Sequence, residues 1–136
     1  MQHPEHVQFL NPATMPSVPG LSQIVKVRGG QTIYISGQVP LDLEGNLVGP
    51  GDFRAQAQQV FENLKAALAA AGADFSHVVK IGLYLTDINQ LPILREVRDQ
   101  HVNTRTPPAS TAVEVSKLFR AGILVEVDAI ASLPIV

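Results

Sequence analysis

Apolar and polar residues alternate with period two in two segments near the end of the chain, STAVEVS (110–116) and ILVEVDAI (123–130). Period two over this length, with many β-branched residues, predicts two strands. Pro107 and Pro108 favour an extended entry and cannot lie in a central ladder, so the first of these strands should begin after them. Glu126 and Asp128 share one face of the second strand. This pair either faces water, as one face of an antiparallel sheet commonly does, or carries chemistry.

Alternation predicts strands in the first half of the chain as well. SQIVKVR (22–28) and QTIYISGQV (31–39) flank Gly29-Gly30, a combination typical of a β-hairpin. Gly37 lies inside the second of these strands and indicates a bulge, either a plain one or one that faces a ligand. The segment VKIGLYLT (79–86) is the clearest strand pattern in the chain. Residues 1–20 are predicted to form an extended lead-in with a short edge strand at Val7–Leu10.

Two amphipathic helices lie between the predicted strands. In the first, apolar residues recur at spacings of three and four over residues 53–71, with Asp52 as the N-cap and Gly72 as the C′ residue. In the second, Asp87 is the predicted N-cap and Gln90 completes a capping-box pattern. The buried stripe of the second helix is predicted to contain Ile93, Leu94, Val97, His101 and Val102, leaving Arg95, Glu96, Arg98 and Asp99 more exposed.

The element order β-β-α-β-α-β-β predicts an α+β fold in which both helices cover one face of a mixed sheet of about six strands. A chain of 136 residues can bury such a core, so we expect a single domain over residues 1–136. The uncovered face is predicted to bear partly apolar residues that a monomer would expose. These residues are Gly82, Tyr84, Ala112 and Leu124.

Composition excludes several classes of function. The 10 basic and 12 acidic side chains give a net charge of −2, and the bases form no run, which disfavours nucleic acid and anionic membranes as partners. Cysteine is absent, and the four histidines lack metal-ligand spacing, so neither a thiol nucleophile nor a metal site is expected. Phosphate-loop and nucleophile-elbow motifs are missing. No signal-peptide or membrane-spanning pattern occurs, and we expect a soluble, cytoplasmic protein.

The remaining candidate chemistry rests on hydroxyls and carboxylates. The candidates are Ser36, Ser110, Thr111, Glu126 and Asp128, together with Arg95. Such a set can orient a water molecule for hydrolysis or hydrogen-bond a small polar ligand. The pattern by itself favours neither of these functions.

Three stretches cover nearly the whole chain: SQIVKVRGGQTIYISGQVPLDLEGNLV, then FENLKAALAAAGADFSHVVKIGLYLTDI, then PPASTAVEV with VEVDAIA. Together, and in this order, they resemble the Rid family, the reactive intermediate deaminases that are also called YjgF-like proteins. The resemblance implies a chorismate-mutase-like subunit of the bacillary type, assembled as a homotrimer with ligand clefts between adjacent subunits. It also implies hydrolysis of enamines or imines to keto acids and ammonia without a metal or organic cofactor.

The resemblance further implies roles for single residues. The arginine with which the family binds the substrate carboxylate is matched here by Ser110, and Leu21 stands where a tyrosine is usual. Glu126 matches the glutamate thought to position the attacking water, and it is the predicted catalytic residue. The predicted substrate-binding residues are Ser36, Gly37, Arg95, Ser110 and Thr111, with Arg95 in the place of an asparagine.

Two hypotheses follow. The first is an enamine or imine hydrolase of altered specificity, in which Arg95 or another cation, with Arg105 and Arg120 as further candidates, binds a small carboxylate ligand. The second is a non-catalytic trimer that binds a small molecule or regulates through it. RNA cleavage, described for some relatives, is disfavoured by the mild acidity of the chain.

Overall fold

Six strands and two α-helices make up the part of the chain that the computed structural model describes, residues 5–135. The first four residues of the predicted lead-in lie outside this part. The strands are β1 (Val7–Leu10), β2 (Ile24–Val27), β3 (Gln31–Gln38), β4 (Val78–Leu85), β5 (Ala109–Glu114) and β6 (Val125–Leu133). The helices are α1 (Phe53–Ala70) and α2 (Leu91–Asp99).

The six strands form two separate sheets. The larger has the order β3-β6-β4-β5, with β3 and β4 antiparallel to β6 and β5 parallel to β4. The smaller is the antiparallel pair β1-β2. The prediction of an α+β fold with both helices on one face of a mixed sheet is confirmed, as is the strand at Val7–Leu10. The prediction of six strands in one sheet is wrong, because the main sheet has four.

The predicted hairpin around Gly29-Gly30 is also wrong. Both glycines adopt positive φ, but β2 pairs with β1 and β3 pairs with β6. Pairing with β6 allows Ile33 and Ile35 to pack against the core, a gain that a local hairpin with the mostly exposed β2 does not offer. The turn residues permit a hairpin, but burial decides the partner.

The first helix begins and ends as predicted. The Asp52 side chain accepts a hydrogen bond from the Ala55 backbone N–H at 3.0 Å, and Gly72 follows the C-cap with φ of 77°. Seven residues of α1 are buried, and most of them belong to one apolar stripe that lies against the sheet: Phe53, Gln56, Ala57, Val60, Phe61, Leu64 and Leu68.

The second helix begins later than predicted. Asp87 accepts a hydrogen bond from the Asn89 backbone and caps a short 3₁₀ turn at Ile88–Gln90, whereas α2 starts at Leu91 without a side-chain cap. Arg98, predicted to be exposed, is only 4% exposed. Its Nε donates to Asp99 at 2.9 Å, and its guanidinium lies so close to the lead-in that a β-carbon on Gly20 would be 2.7 Å from Nη2. Arginine is buried here because its stem packs and its charge is paired.

Strand β6 supplies both faces of the main sheet by simple alternation. Val125, Val127 and Ala129 are buried against the helices, whereas Glu126 and Asp128 point to the opposite side. That opposite side, which carries neither helix, is called the helix-free face. From the strand registers it comprises Thr32, Tyr34, Lys80, Gly82, Tyr84, Ala109, Thr111, Val113, Glu126, Asp128, Ile130 and Ser132.

The helix-free face confirms two of the four residues predicted for it and corrects the others. Gly82 and Tyr84 lie there. Leu124 instead packs against the helical core, and Ala112 is in register with Leu83, whose side chain faces the helices. For Ala112 a one-residue offset moves the side chain to the other side of the strand, whereas Leu124 precedes the first residue of β6 and does not follow its alternation.

Candidate functional site

A β-bulge shapes one edge of the helix-free face. Ile35 pairs with Ala129 and Gln38 pairs with Val127, so Ser36 and Gly37 together oppose a single residue of β6. The Gln38 side chain donates to the Ser36 carbonyl at 3.0 Å, which ties the bulge together. The bulge expected from the sequence is therefore present.

The bulge accommodates the carboxylate of Glu126. A β-carbon placed on Gly37 would overlap the Glu126 carboxylate, so only glycine leaves room for it. Glu126 lies on β6 opposite Tyr84 and is partly buried. The structure thus brings together two of the predicted site residues, Gly37 and Glu126, and leaves Ser36 exposed beside them.

The environment of Glu126 changes its acidity. Burial, together with the negative charge of Asp128, raises the pKa of the Glu126 carboxyl above its usual value of 4.5. A carboxyl group that holds its proton to higher pH is better suited to give and take a proton near neutrality.

Asp128 forms a second cluster one step along the same face. The Tyr84 hydroxyl donates to Asp128 Oδ2 at 3.1 Å, and a β-carbon on Gly82 would overlap Asp128 Oδ1. This hydrogen bond, burial and the nearby carboxylates raise the pKa of Tyr84 above its usual value of 10.0. Each carboxylate of β6 therefore lies over a glycine of a neighbouring strand. Tyr84 was not among the site residues predicted from the sequence, although it alternates with the apolar residues of β4.

Lys80 also belongs to this face, although it was not among the site residues predicted from the sequence. Its Nζ donates to Thr111 Oγ1 at 2.9 Å across the parallel β4-β5 pair. Lys80 is in register with Ile130, which places it on the helix-free face with the carboxylates. In the sequence, Lys80 alternates with the apolar residues of VKIGLYLT, and this pattern could have placed it on the same face as Gly82 and Tyr84.

Ser110 and Arg95 lie elsewhere in the subunit. Ser110 is in register with Ile81, which is buried in the helical core, so the two residues share the helical side of the sheet. Arg95 is exposed on α2, on the other side of the sheet from Glu126. Within one subunit, neither residue is brought together with Glu126.

The other candidate arginines flank the sheet. Arg120 Nη1 donates to the Gly45 carbonyl at 3.1 Å. Arg105 lines a surface cavity of about 550 Å³ together with Leu21 and Pro107. Within residues 5–135, no three His, Asp or Glu side chains are grouped so that they could hold a metal ion, and no helix has the length and hydropathy needed to cross a membrane.

Comparison with known proteins defines the class of this fold and site. Residues 13–133 match the Endoribonuclease L-PSP family, so the chain belongs to this family, whose members are also called YjgF, RutC or Rid proteins. The crystal structure of the Rid family protein YyfB from Yersinia pestis matches with a TM-score of 0.82 and 34% identity, covering 94% of this chain and 99% of that one. The predicted family and the chorismate-mutase-like fold are thereby confirmed.

Two sequence relatives are closely similar to this chain. Protein DfrA from Myxococcus xanthus is 48% identical over 110 residues, which cover 81% of this chain and 82% of that protein. The 2-iminobutanoate/2-iminopropanoate deaminase of Mus musculus is 41% identical over 110 residues, which cover 81% of this chain and 78% of that enzyme. Similarity to an imine deaminase supports deaminase-type chemistry for the family to which this chain belongs.

Proposed function

We propose that this protein hydrolyses small enamines or imines derived from amino acids to keto acids and ammonia, without a cofactor and with altered specificity. The observation that carries the proposal is the Glu126 carboxyl group, accommodated by Gly37 and partly withdrawn from water. The similarity to a 2-iminobutanoate/2-iminopropanoate deaminase supports the same reaction type.

The chemistry needs one water and one group that exchanges protons. Glu126 accepts a proton from the water as its oxygen bonds to the imine carbon, and the imine nitrogen takes up a proton from solvent. Glu126 then returns its proton to the amino group of the resulting carbinolamine, and ammonia leaves as the C–N bond breaks, the hydroxyl proton passes to solvent and the carbonyl forms. The raised pKa of Glu126 favours this role, because the carboxyl group can return the proton as well as accept it.

The proposal includes a homotrimer with ligand clefts between subunits. The helix-free face exposes apolar surface that a second copy would cover, including Tyr34, which is 78% exposed, and Val113, which is 37% exposed. Strand β5 is an edge strand with four exposed residues in sequence, Thr111 to Glu114, and such edges favour pairing with another chain. Ser36, Gly37 and Thr111 are proposed to line the cleft.

A second candidate function is ligand binding without catalysis. The observation that favours it is Ser110, because a hydroxyl cannot replace the bidentate contact of an arginine with a carboxylate. RNA cleavage, which the family description suggests, is a weaker candidate. The helix-free face presents two carboxylates and one ammonium group. Its net charge is therefore negative, and it repels phosphate.

The test is imine hydrolysis by the purified protein. An amino-acid oxidase generates 2-imino acids in the reaction, semicarbazide traps those that survive, and several parent amino acids are compared. We expect the wild-type protein to lower the amount of trapped imine, and we expect Glu126→Ala to abolish this effect. Glu62→Ala, which removes an exposed carboxylate on α1, is the matched control and should keep full activity.

Two outcomes would contradict the proposal. Unchanged trapping with every imine would leave ligand binding as the better candidate. A mass in solution that corresponds to a monomer would remove the cleft between subunits. A cytoplasmic location stays a prediction that neither measurement addresses.

A further inference from the structure

The four-stranded sheet carries a single basic side chain among the described residues, and that side chain is Lys80. It lies on the helix-free face, the face of Glu126 and Asp128. A 2-imino acid carries a carboxylate next to the carbon that water attacks, so its binding site needs a cation close to the catalytic carboxyl group. Lys80 is the cation that the fold itself brings to this face.

Two arginines of the chain are held in ion pairs. Arg54 pairs with Glu96 at 2.9 Å, and Arg98 is buried beside Asp99. Lys80, in contrast, makes no ion pair within residues 5–135 and donates only to the neutral hydroxyl of Thr111. Its charge is therefore held in place by a neighbouring strand without being neutralised, as an anion-binding group requires.

Lys80 and Glu126 lie toward opposite edges of the sheet. Glu126 reaches over β3, the first strand in the order β3-β6-β4-β5, whereas the Lys80 ammonium reaches β5, the last. Three strand spacings separate β3 from β5, which is about 14 Å. A small 2-imino acid cannot span this separation within one subunit, because its carboxylate is bonded directly to the reacting carbon.

Head-to-tail assembly removes the separation. In a cyclic trimer each subunit uses two different surfaces, so the β3 edge of one subunit can meet the β5 edge of the next. We propose that Lys80 binds the substrate carboxylate for Glu126 of the adjacent subunit, in place of the arginine that Ser110 replaces. This inference rests on the trimer and on the reaction type of the proposed function.

An ammonium group differs from a guanidinium group in ways that affect specificity. It is a point charge with rotatable donors, whereas arginine offers a planar fork. The site should therefore require a carboxylate and yet tolerate more variation in its orientation than an arginine site does. A keto acid should bind well, and the corresponding uncharged keto amide should bind poorly.

The first test measures binding without catalysis. Titration of the intact protein with 2-oxobutanoate should show that Lys80→Met weakens binding about ten- to a hundredfold, the loss expected for a charge-assisted hydrogen bond. Lys80→Arg should retain binding. Lys26→Met, on exposed β2, is the matched control and should bind within about twofold of wild type. Equal binding by wild type and Lys80→Met, or no binding by wild type, would overturn the role of Lys80.

The second test asks whether the two residues act from different subunits. Glu126→Ala and Lys80→Met proteins are unfolded, mixed in equal amounts and refolded together. Random assembly places one intact Glu126–Lys80 pair in each mixed trimer, so about a quarter of all sites should regain activity. Activity no higher than that of the separately refolded variants would overturn the composite site.

The two tests separate this inference from the proposed function. A wild-type protein that binds 2-oxobutanoate through Lys80 but hydrolyses no imine would refute the chemistry alone. Imine hydrolysis that persists in Lys80→Met with an unchanged KM would refute the role of the lysine alone.

Discussion

The two faces of the main sheet are built from the same strands, but their side chains have different roles. On the helical face, β4 and β6 contribute Leu83, Leu85, Val125 and Val127, all buried against α1 and α2. On the helix-free face, the intervening residues are carboxylates, a tyrosine, a lysine and a glycine. The first face contributes stability through packing, whereas the second holds hydrogen-bonded polar groups that are partly open to solvent and available to a ligand. Neighbouring residues of one strand therefore have different roles: one side chain packs in the core, and the next lies on the face proposed to bind the ligand.

The largest expected effect is on the helical face. Leu83→Ala should lower the free energy of unfolding by about 2–5 kcal/mol, because it removes buried methyl groups and leaves a cavity in a close-packed core. Urea unfolding measures this loss. A cost below about 1 kcal/mol would mean that this side of the sheet is not the rigid core described here.

The next effect is on activity. Gly37→Ala should displace the Glu126 carboxylate and lower kcat/KM by about a hundredfold, because a shift of about 1 Å in a catalytic group can cost this much. The double variant Gly37→Ala/Glu126→Ala relieves the overlap, so it should recover the stability lost in the single variant and remain inactive. Full activity in Gly37→Ala would refute the placement of Glu126.

A smaller effect is expected at Tyr84. Tyr84→Phe removes the hydrogen bond to Asp128 and should cost about 0.5–1.5 kcal/mol of unfolding free energy. The same substitution in an Asp128→Ala variant, which already lacks the hydrogen-bond partner, is the matched control. Equal costs in the two backgrounds would show that the Tyr84–Asp128 contact contributes nothing specific.

The smallest expected effect is a pH dependence. Since the folded pKa of Glu126 is raised, the folded state holds this proton more tightly than the unfolded chain, and ionisation weakens the fold as pH rises above the usual 4.5. The stability of Glu126→Gln relative to wild type should therefore increase from pH 4 upward and level off above the folded pKa. Glu62→Gln corrects for the general change in charge. A difference that does not vary with pH would contradict the raised pKa.

Local sequence signals predicted local structure well. Asp52 and Gly72 mark the ends of α1 because an N-cap and a left-handed glycine act within one helical turn. The bulge at Gly37 was also predicted from a local signal, a glycine inside a strand, although the group that it accommodates was not. Alternation in β6 placed Glu126 and Asp128 on one face before any partner strand was known.

Long-range pairing could not be predicted in this way. The Gly29-Gly30 turn permits a hairpin, and only competition for core burial assigns β3 to β6. The contact between Lys80 and Thr111 depends on a parallel pair that joins residues 31 positions apart. Arg98 is buried because the lead-in lies across it, which a helical pattern does not show.

The central claim is that the helix-free face binds the ligand and the helical face does not. The most direct measurement is an NMR titration of isotope-labelled protein with 2-oxobutanoate, followed through the backbone amides. We expect the largest chemical-shift changes at Gly37, Gly82 and Thr111, while the amides of α1 and α2 change little. Changes concentrated in the helices, or none at saturating ligand, would contradict it.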